Sequence, residues 1–121
     1  MKTGQLKVAS QATNQQYSSG FSGVKPQVNL LLQDGSSRTY TVREGSNIIG
    51  RSADSDLQLP DTGVSRNHAE ITWDGYDAVL VDMESTNGTT VNDHPIENWM
   101  LADGDVIRVG HSLIEVRITG V

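Results

Sequence analysis

The chain has 121 residues, 36% of them hydrophobic, with no cysteine and a net charge of −6. That length suits one domain with one core, and the missing cysteine excludes disulfides, thiolate metal sites and cysteine nucleophiles. From Pro26 onward six arginines stand against fifteen Asp and Glu, a balance of −9, which argues against a nucleic-acid backbone or an anionic membrane as partner.

Residues 1–25 are rich in Gln, Ser, Thr, Asn and Gly, and hold all three lysines (Lys2, Lys7, Lys25) and no acid. This is the composition of a flexible polar tail or linker, too poor in apolar surface to offset ordering entropy. It lacks the apolar stretch of a signal peptide. The longest apolar runs, such as Ala78-Val79-Leu80-Val81, fall far short of a membrane span. A cytoplasmic location without membrane insertion is therefore expected.

From 26 to 121 the pattern becomes short β-type runs between turn residues. Val28 to Leu32 is followed by Asp34-Gly35-Ser36, then Thr39 to Val42, Glu44-Gly45 and Asn47 to Gly50. Ala69 to Trp73, Asp74-Gly75, Ala78 to Asp82, Thr89 to Val91, Val106 to Val109 and Leu113 to Ile118 complete the series. Met100 to Asp105 reads as a loop. Runs at about 8–12-residue spacing, with Asp-Gly turns and no long helical stretch, predict a β-sandwich or barrel.

Three loops concentrate side chains suited to phosphate. Arg51 directly follows Gly50 at the end of the Ile48-Ile49 run, so its backbone is anchored while its side chain leaves the sheet. A guanidinium offers a planar fork of donors matched to phosphate oxygens. Ser65 and Arg66 stand in the polar loop Asp61 to His68, and Thr86 and Asn87 stand in Ser85-Thr86-Asn87-Gly88-Thr89. Each has a plainer reading: Arg51 as a solvated charge, Ser65 as a local turn donor, and Asn87-Gly88 as an ordinary hairpin with positive φ. His68 reads as a residue that ties loops together by hydrogen bonds.

Together, Gly50-Arg51-Ser52, Ser65-x-x-His68 and Ser85-x-Asn87-Gly88-Thr89, followed by Val91-Asn92, resemble the signature of the forkhead-associated (FHA) domain over roughly residues 27–119. The string Leu59 to Arg66, with Leu101 to Asp105, looks most like FHA domains of actinobacterial Ser/Thr-kinase signalling proteins. The resemblance implies an all-β, FHA-type β-sandwich of about eleven strands with ligand loops at one end. It implies a phosphothreonine-dependent module contacting its peptide through Arg51, Ser65, Arg66, Thr86 and Asn87. Gly50, His68 and Gly88 match positions that support loop geometry. The implied partners are threonine-phosphorylated proteins, Ser/Thr kinases or their substrates, including cell-wall regulators in actinobacteria. The module is expected to be a monomer without cofactor. In some small members a phosphorylated N-terminal threonine folds back on the pocket; Thr3 and Thr13 stand in this tail, which lacks the adjacent-threonine motif of those proteins.

Other chemistries fit less well. A hydrolase triad of Ser65, His68 and Asp82 lacks a nucleophile elbow or an evident oxyanion loop, so no enzymatic activity is expected. Calcium sites at Asp54, Asp56 and Asp61, or at Asp103 and Asp105, lack the twelve-residue loop with its terminal Glu. His68, His94 and His111 show no metal-ligand spacing. The closer rival is a phosphate-independent FHA scaffold for protein assembly, against which the retained Arg51, Ser65, Thr86 and Asn87 argue.

Overall fold

The computed structural model describes residues 25–120. The expected tail at 1–25, with Thr3 and Thr13, lies outside the described residues except for Lys25. Eleven strands form in the described residues: β1 (Gln27–Leu32), β2 (Thr39–Thr41), β3 (Gly45–Gly50), β4 (Leu57–Gln58), β5 (Ala69–Trp73), β6 (Ala78–Asp82), β7 (Thr89–Val91), β8 (His94–Ile96), β9 (Asn98–Met100), β10 (Val106–Val109) and β11 (Ser112–Thr119). They make a five-stranded sheet in the order β9-β6-β5-β3-β4 and a six-stranded sheet in the order β2-β1-β11-β10-β7-β8. All neighbours are antiparallel except β3 and β4. The all-β sandwich expected from the sequence is the fold observed.

Alternation along the strands builds the core. Val28, Leu30 and Leu32 of β1 point inward, and so do Ile71 of β5, Leu80 of β6, Ile107 and Val109 of β10, and Ile114 and Val116 of β11. A period of two sends every second side chain to one face, so each sheet offers one apolar face to the other. Leu59, Val64 and Leu101, from loops, close the ends of this core. Buried Asn47 is fully used: its Nδ2 donates to the Arg43, Gly45 and Ile71 carbonyls, and its Oδ1 accepts from Tyr40 and the Arg43 N–H.

Three strands escaped sequence reading: β4, β8 and β9. All three are edge strands of their sheets. An edge strand is bonded on one side and need not alternate; Pro95 in β8 is the kind of residue such a position tolerates. Met100, expected in a loop, therefore ends β9 against Val79. Elsewhere the expected strand limits shift by one or two residues, at β1, β2, β3 and β11. The Asp74-Gly75 turn does join a hairpin, with Asp74 Oδ1 accepting from the Tyr76 and Asp77 N–H groups.

The register gathers the functional loops. Ile49 pairs with Ala69 and Ala69 with Asp82, while Val109 pairs with both Thr89 and Ser112. The segments after Gly50, before Ala69, between Asp82 and Thr89, and between Val109 and Ser112 thus leave one end of the sandwich. Gly50 permits the tightest approach there. A Cβ at Gly50 would lie 2.0 Å from the Arg66 carbonyl oxygen, a contact that backbone must move to relieve. Gly50→Ala is expected to lower unfolding stability by about 2–3 kcal/mol through this overpacking, read as a drop in urea midpoint; an unchanged midpoint would refute the close approach.

Candidate functional site

Two backbone bonds zip the loop after β3 to the loop before β5: Arg51 N–H donates to the Ser65 carbonyl (3.0 Å) and Ser52 N–H to the Arg66 carbonyl (3.2 Å). The Arg51 side chain then turns over this seam, and its Nε donates to the Val64 carbonyl at 3.0 Å. That bond fixes the guanidinium plane. Among the described residues the Nη groups of Arg51 have no hydrogen-bond partner, and Arg51 is exposed.

Ser65 sits beside it. Its hydroxyl oxygen accepts the Thr86 N–H at 3.0 Å, which leaves the hydroxyl hydrogen free to donate to another acceptor. The Asn87 Nδ2 donates to the Gly63 carbonyl at 2.9 Å, and Thr86 and Asn87 are both exposed. Gly63, Val64 and Ser65 are consecutive, so one loop carries the partners of Asn87, Arg51 and Thr86. Arg66 is exposed, and its side chain makes no ion pair among the described residues.

His68 is wholly buried under this end. Its Nδ1 accepts the Ser65 N–H (2.9 Å), so the ring proton sits on Nε2, which donates to the Gly88 carbonyl (2.8 Å). One imidazole therefore joins the loop before β5 to the loop before β7. Gly88 has φ of +81°, the left-handed region that glycine reaches without steric cost. The strands flanking Ser85 to Gly88, β6 and β7, lie in different sheets. This segment is a crossover between sheets rather than a hairpin.

The triad reading meets the same geometry. His68 bonds the backbone of Ser65, not its hydroxyl, and Asp82 accepts from the Ser85 and Thr89 hydroxyls. Among the described residues no side-chain base is hydrogen-bonded to the Ser65 hydroxyl. Of the acids considered as calcium ligands, all but Asp54 bond to other groups of the fold. Asp56 takes Arg43 and the Ile48 N–H, Asp103 takes the Ile118 N–H, and Asp105 takes Asn92, Trp99 and the Ala102 N–H.

Two aspartates at this end were not recognised from sequence as loop anchors. Burial disfavours the charge on Asp61, but the Ser112 hydroxyl, the Gly63 and His111 N–H groups and the His111 ring hold its carboxyl well below the usual range. Burial likewise opposes ionisation of Asp82, and the Ser85 and Thr89 hydroxyls outweigh it. The only sequence signal was weak: an Asp two residues before Gly63, and an Asp three residues before Ser85, spacings at which a carboxylate caps its own turn.

The sequence pattern that defines the FHA domain matches residues 47–110. The chain belongs to the FHA domain family. It is 66% identical over 91 residues to the FHA domain-containing protein FhaA of Mycobacterium tuberculosis, a match covering 75% of this chain but 17% of FhaA. A solved structure from a study of phosphothreonine-dependent FHA domain interactions superposes with a TM-score of 0.77 at 63% identity, covering 78% of this chain and 99% of that one. The FhaA FHA domain, solved in complex with the intracellular domain of Rv3910, superposes with a TM-score of 0.74 at 67% identity, covering 74% of this chain and 99% of that one. The FHA sandwich here contains no helix among its described residues, hence none long and apolar enough to cross a membrane.

The depressed carboxyls of this FHA domain set a pH dependence. A group held below its ordinary value of 3.8 stabilises the fold fully above that value, and the contribution is lost as pH falls through the folded-state value. The melting temperature should therefore fall progressively as pH drops below about 4, and the fall should be shallower in Asp82→Asn. Equal acid sensitivity in the two proteins would refute the role given to Asp82.

Proposed function

We propose that this chain docks kinase-phosphorylated proteins by binding phosphothreonine at the loop end of the sandwich. Arg51, Ser65, Arg66, Thr86 and Asn87 are the contacts, and Gly50, His68 and Gly88 hold the loops that carry them. The domain spans 26–121, acts in the cytoplasm as a monomer, and does so by binding rather than catalysis, without metal or cofactor.

One observation carries the reading. Arg51 is pinned through Nε while its Nη groups face outward, beside a serine whose hydroxyl has a donor to spare. A dianion with three acceptor oxygens suits such an array, since phosphothreonine carries about −1.5 to −2 charge at pH 7. Preorganisation matters here: the guanidinium loses little freedom on binding because Val64 has already oriented it. Arg66 adds a second charge, and Asn87 presents an amide to the peptide backbone. Two similar FHA domains, one from a study of phosphothreonine-dependent FHA domain interactions and one solved in complex with the intracellular domain of Rv3910, support the same choice of ligand. Among partners, threonine-phosphorylated kinases, their substrates and cell-wall regulators fit the actinobacterial relatives.

The net charge of −9 beyond Pro26 does not forbid a phosphate. Each charge-assisted hydrogen bond contributes about 1.5–3 kcal/mol, and salt screens carboxylates farther than about 10 Å from the site.

Arg51→Ala should abolish measurable binding of a phosphothreonine peptide in calorimetry while the protein still melts cooperatively. Ser65→Ala should weaken binding by about 1–2 kcal/mol. Arg66→Ala should weaken it and flatten its salt dependence; titrations that match the wild-type protein at both of two ionic strengths would remove Arg66 from the contacts. Binding of a partner that survives Arg51→Ala and does not need the phosphate would favour the scaffold reading instead.

A further inference from the structure

We propose that Asp61 is a positioning residue for phosphopeptide binding: its carboxylate clamps the 61–66 loop to the turn between β10 and β11 and so sets the groups that hold Arg51, Thr86 and Asn87. The inference rests on the phosphothreonine reading above and concerns a residue that does not touch the ligand.

Four bonds meet at this carboxylate. Oδ1 accepts the Gly63 N–H at 2.8 Å and lies 3.2 Å from His111 Nδ1, while Oδ2 accepts the His111 N–H and the Ser112 hydroxyl, each at 2.8 Å. Gly63 is local, two residues along the chain. His111 and Ser112 are fifty and fifty-one residues away, in the turn and first strand residue of the β10–β11 hairpin of the other sheet. Asp61 therefore joins the two sheets across their shared end. Backbone packing beneath the clamp is equally close: a Cβ on Gly110 would lie 2.7 Å from the Gly63 carbonyl carbon.

What the clamp holds is the stretch on which the contacts are aligned. The Gly63 carbonyl accepts Asn87 Nδ2, the Val64 carbonyl accepts Arg51 Nε, and the Ser65 hydroxyl accepts the Thr86 N–H. Three consecutive residues thus orient side chains or backbone from two other loops. A displacement at Gly63 passes to Asn87 directly and to Arg51 one residue later. His68 fixes the far end of the stretch at the Ser65 N–H; Asp61 fixes the near end. Without the near anchor, the guanidinium and the amide lose the common template that spaces them, and supporting contacts of this kind decide how well a site is preorganised.

Asp61→Asn is the direct test, because it keeps the size of the side chain and replaces one acceptor with a donor facing the His111 N–H and the Ser112 hydroxyl. Calorimetric titration with one phosphothreonine peptide, well below the melting temperature, should show about tenfold weaker binding, the scale of one lost charge-assisted hydrogen bond. A double-mutant cycle with Asn87→Ala supplies a readout that mere destabilisation would not move. The combined loss should be smaller than the product of the single losses, since Asn87 depends on the Gly63 carbonyl that Asp61 sets. Ser112→Ala, which removes one leg of the clamp, is the milder variant should Asp61→Asn fold poorly, with about two- to threefold weaker binding expected. Wild-type affinity in folded Asp61→Asn or in Ser112→Ala, or strictly multiplicative losses in the cycle, would overturn the proposal. Wild-type protein and Arg51→Ala are titrated alongside: if these two bind alike, it is the phosphothreonine reading that fails, and the clamp with it.

Discussion

Where Gly50 meets the carbonyl of Arg66, two backbones approach more closely than any side chain allows. The zipper of Arg51 and Ser52 N–H groups onto the Ser65 and Arg66 carbonyls depends on that approach, and so does the reach of Arg51 Nε to Val64. The loops after β3 and before β5 behave as one body for this reason. A single missing Cβ lets a charged side chain be aimed before any ligand arrives. The sandwich beneath supplies rigidity, but the aim comes from the seam.

Around the seam stand polar residues whose work is internal. His68 spans two loops, Asp61 spans two sheets, and Asp82 gathers the hydroxyls of the crossover that carries Thr86 and Asn87. Each satisfies loop donors or acceptors that would otherwise be stranded at the core's end, where an unmade bond costs about 1–3 kcal/mol. This also resolves the tension between an acidic domain and an anionic ligand. Asp56, Asp61 and Asp82 spend their lone pairs on an arginine, on backbone N–H groups and on hydroxyls, whereas Arg66 and the Nη groups of Arg51 stay uncommitted among the described residues.

Legibility in the sequence followed the physics of each element. Strands β5, β6, β7 and β10 were readable residue for residue, because a strand paired on both sides of its sheet must alternate or stay apolar. The edge strands β4, β8 and β9 were not, since they are two or three residues long and pairing with one neighbour leaves their side chains largely unconstrained; the edge strand β2 was read to within one residue. Arg51, Ser65, Thr86 and Asn87 stood out by residue type at strand ends. Asp61 and Asp82 did not, because an aspartate near a turn looks alike whether it is solvated or carries four hydrogen bonds.

The sequence by itself determined the β-class, the positions of most strands along the chain and the set of phosphate-suited side chains, because alternation and functional-group chemistry are properties of the chain locally. Only the tertiary structure decided which of those side chains are aimed and what aims them. The Asp61 to Ser112 bond joins residues fifty-one positions apart, and the Asn87 to Gly63 bond joins residues twenty-four apart. Such contacts arise from the register of two packed sheets, and no local pattern encodes that register.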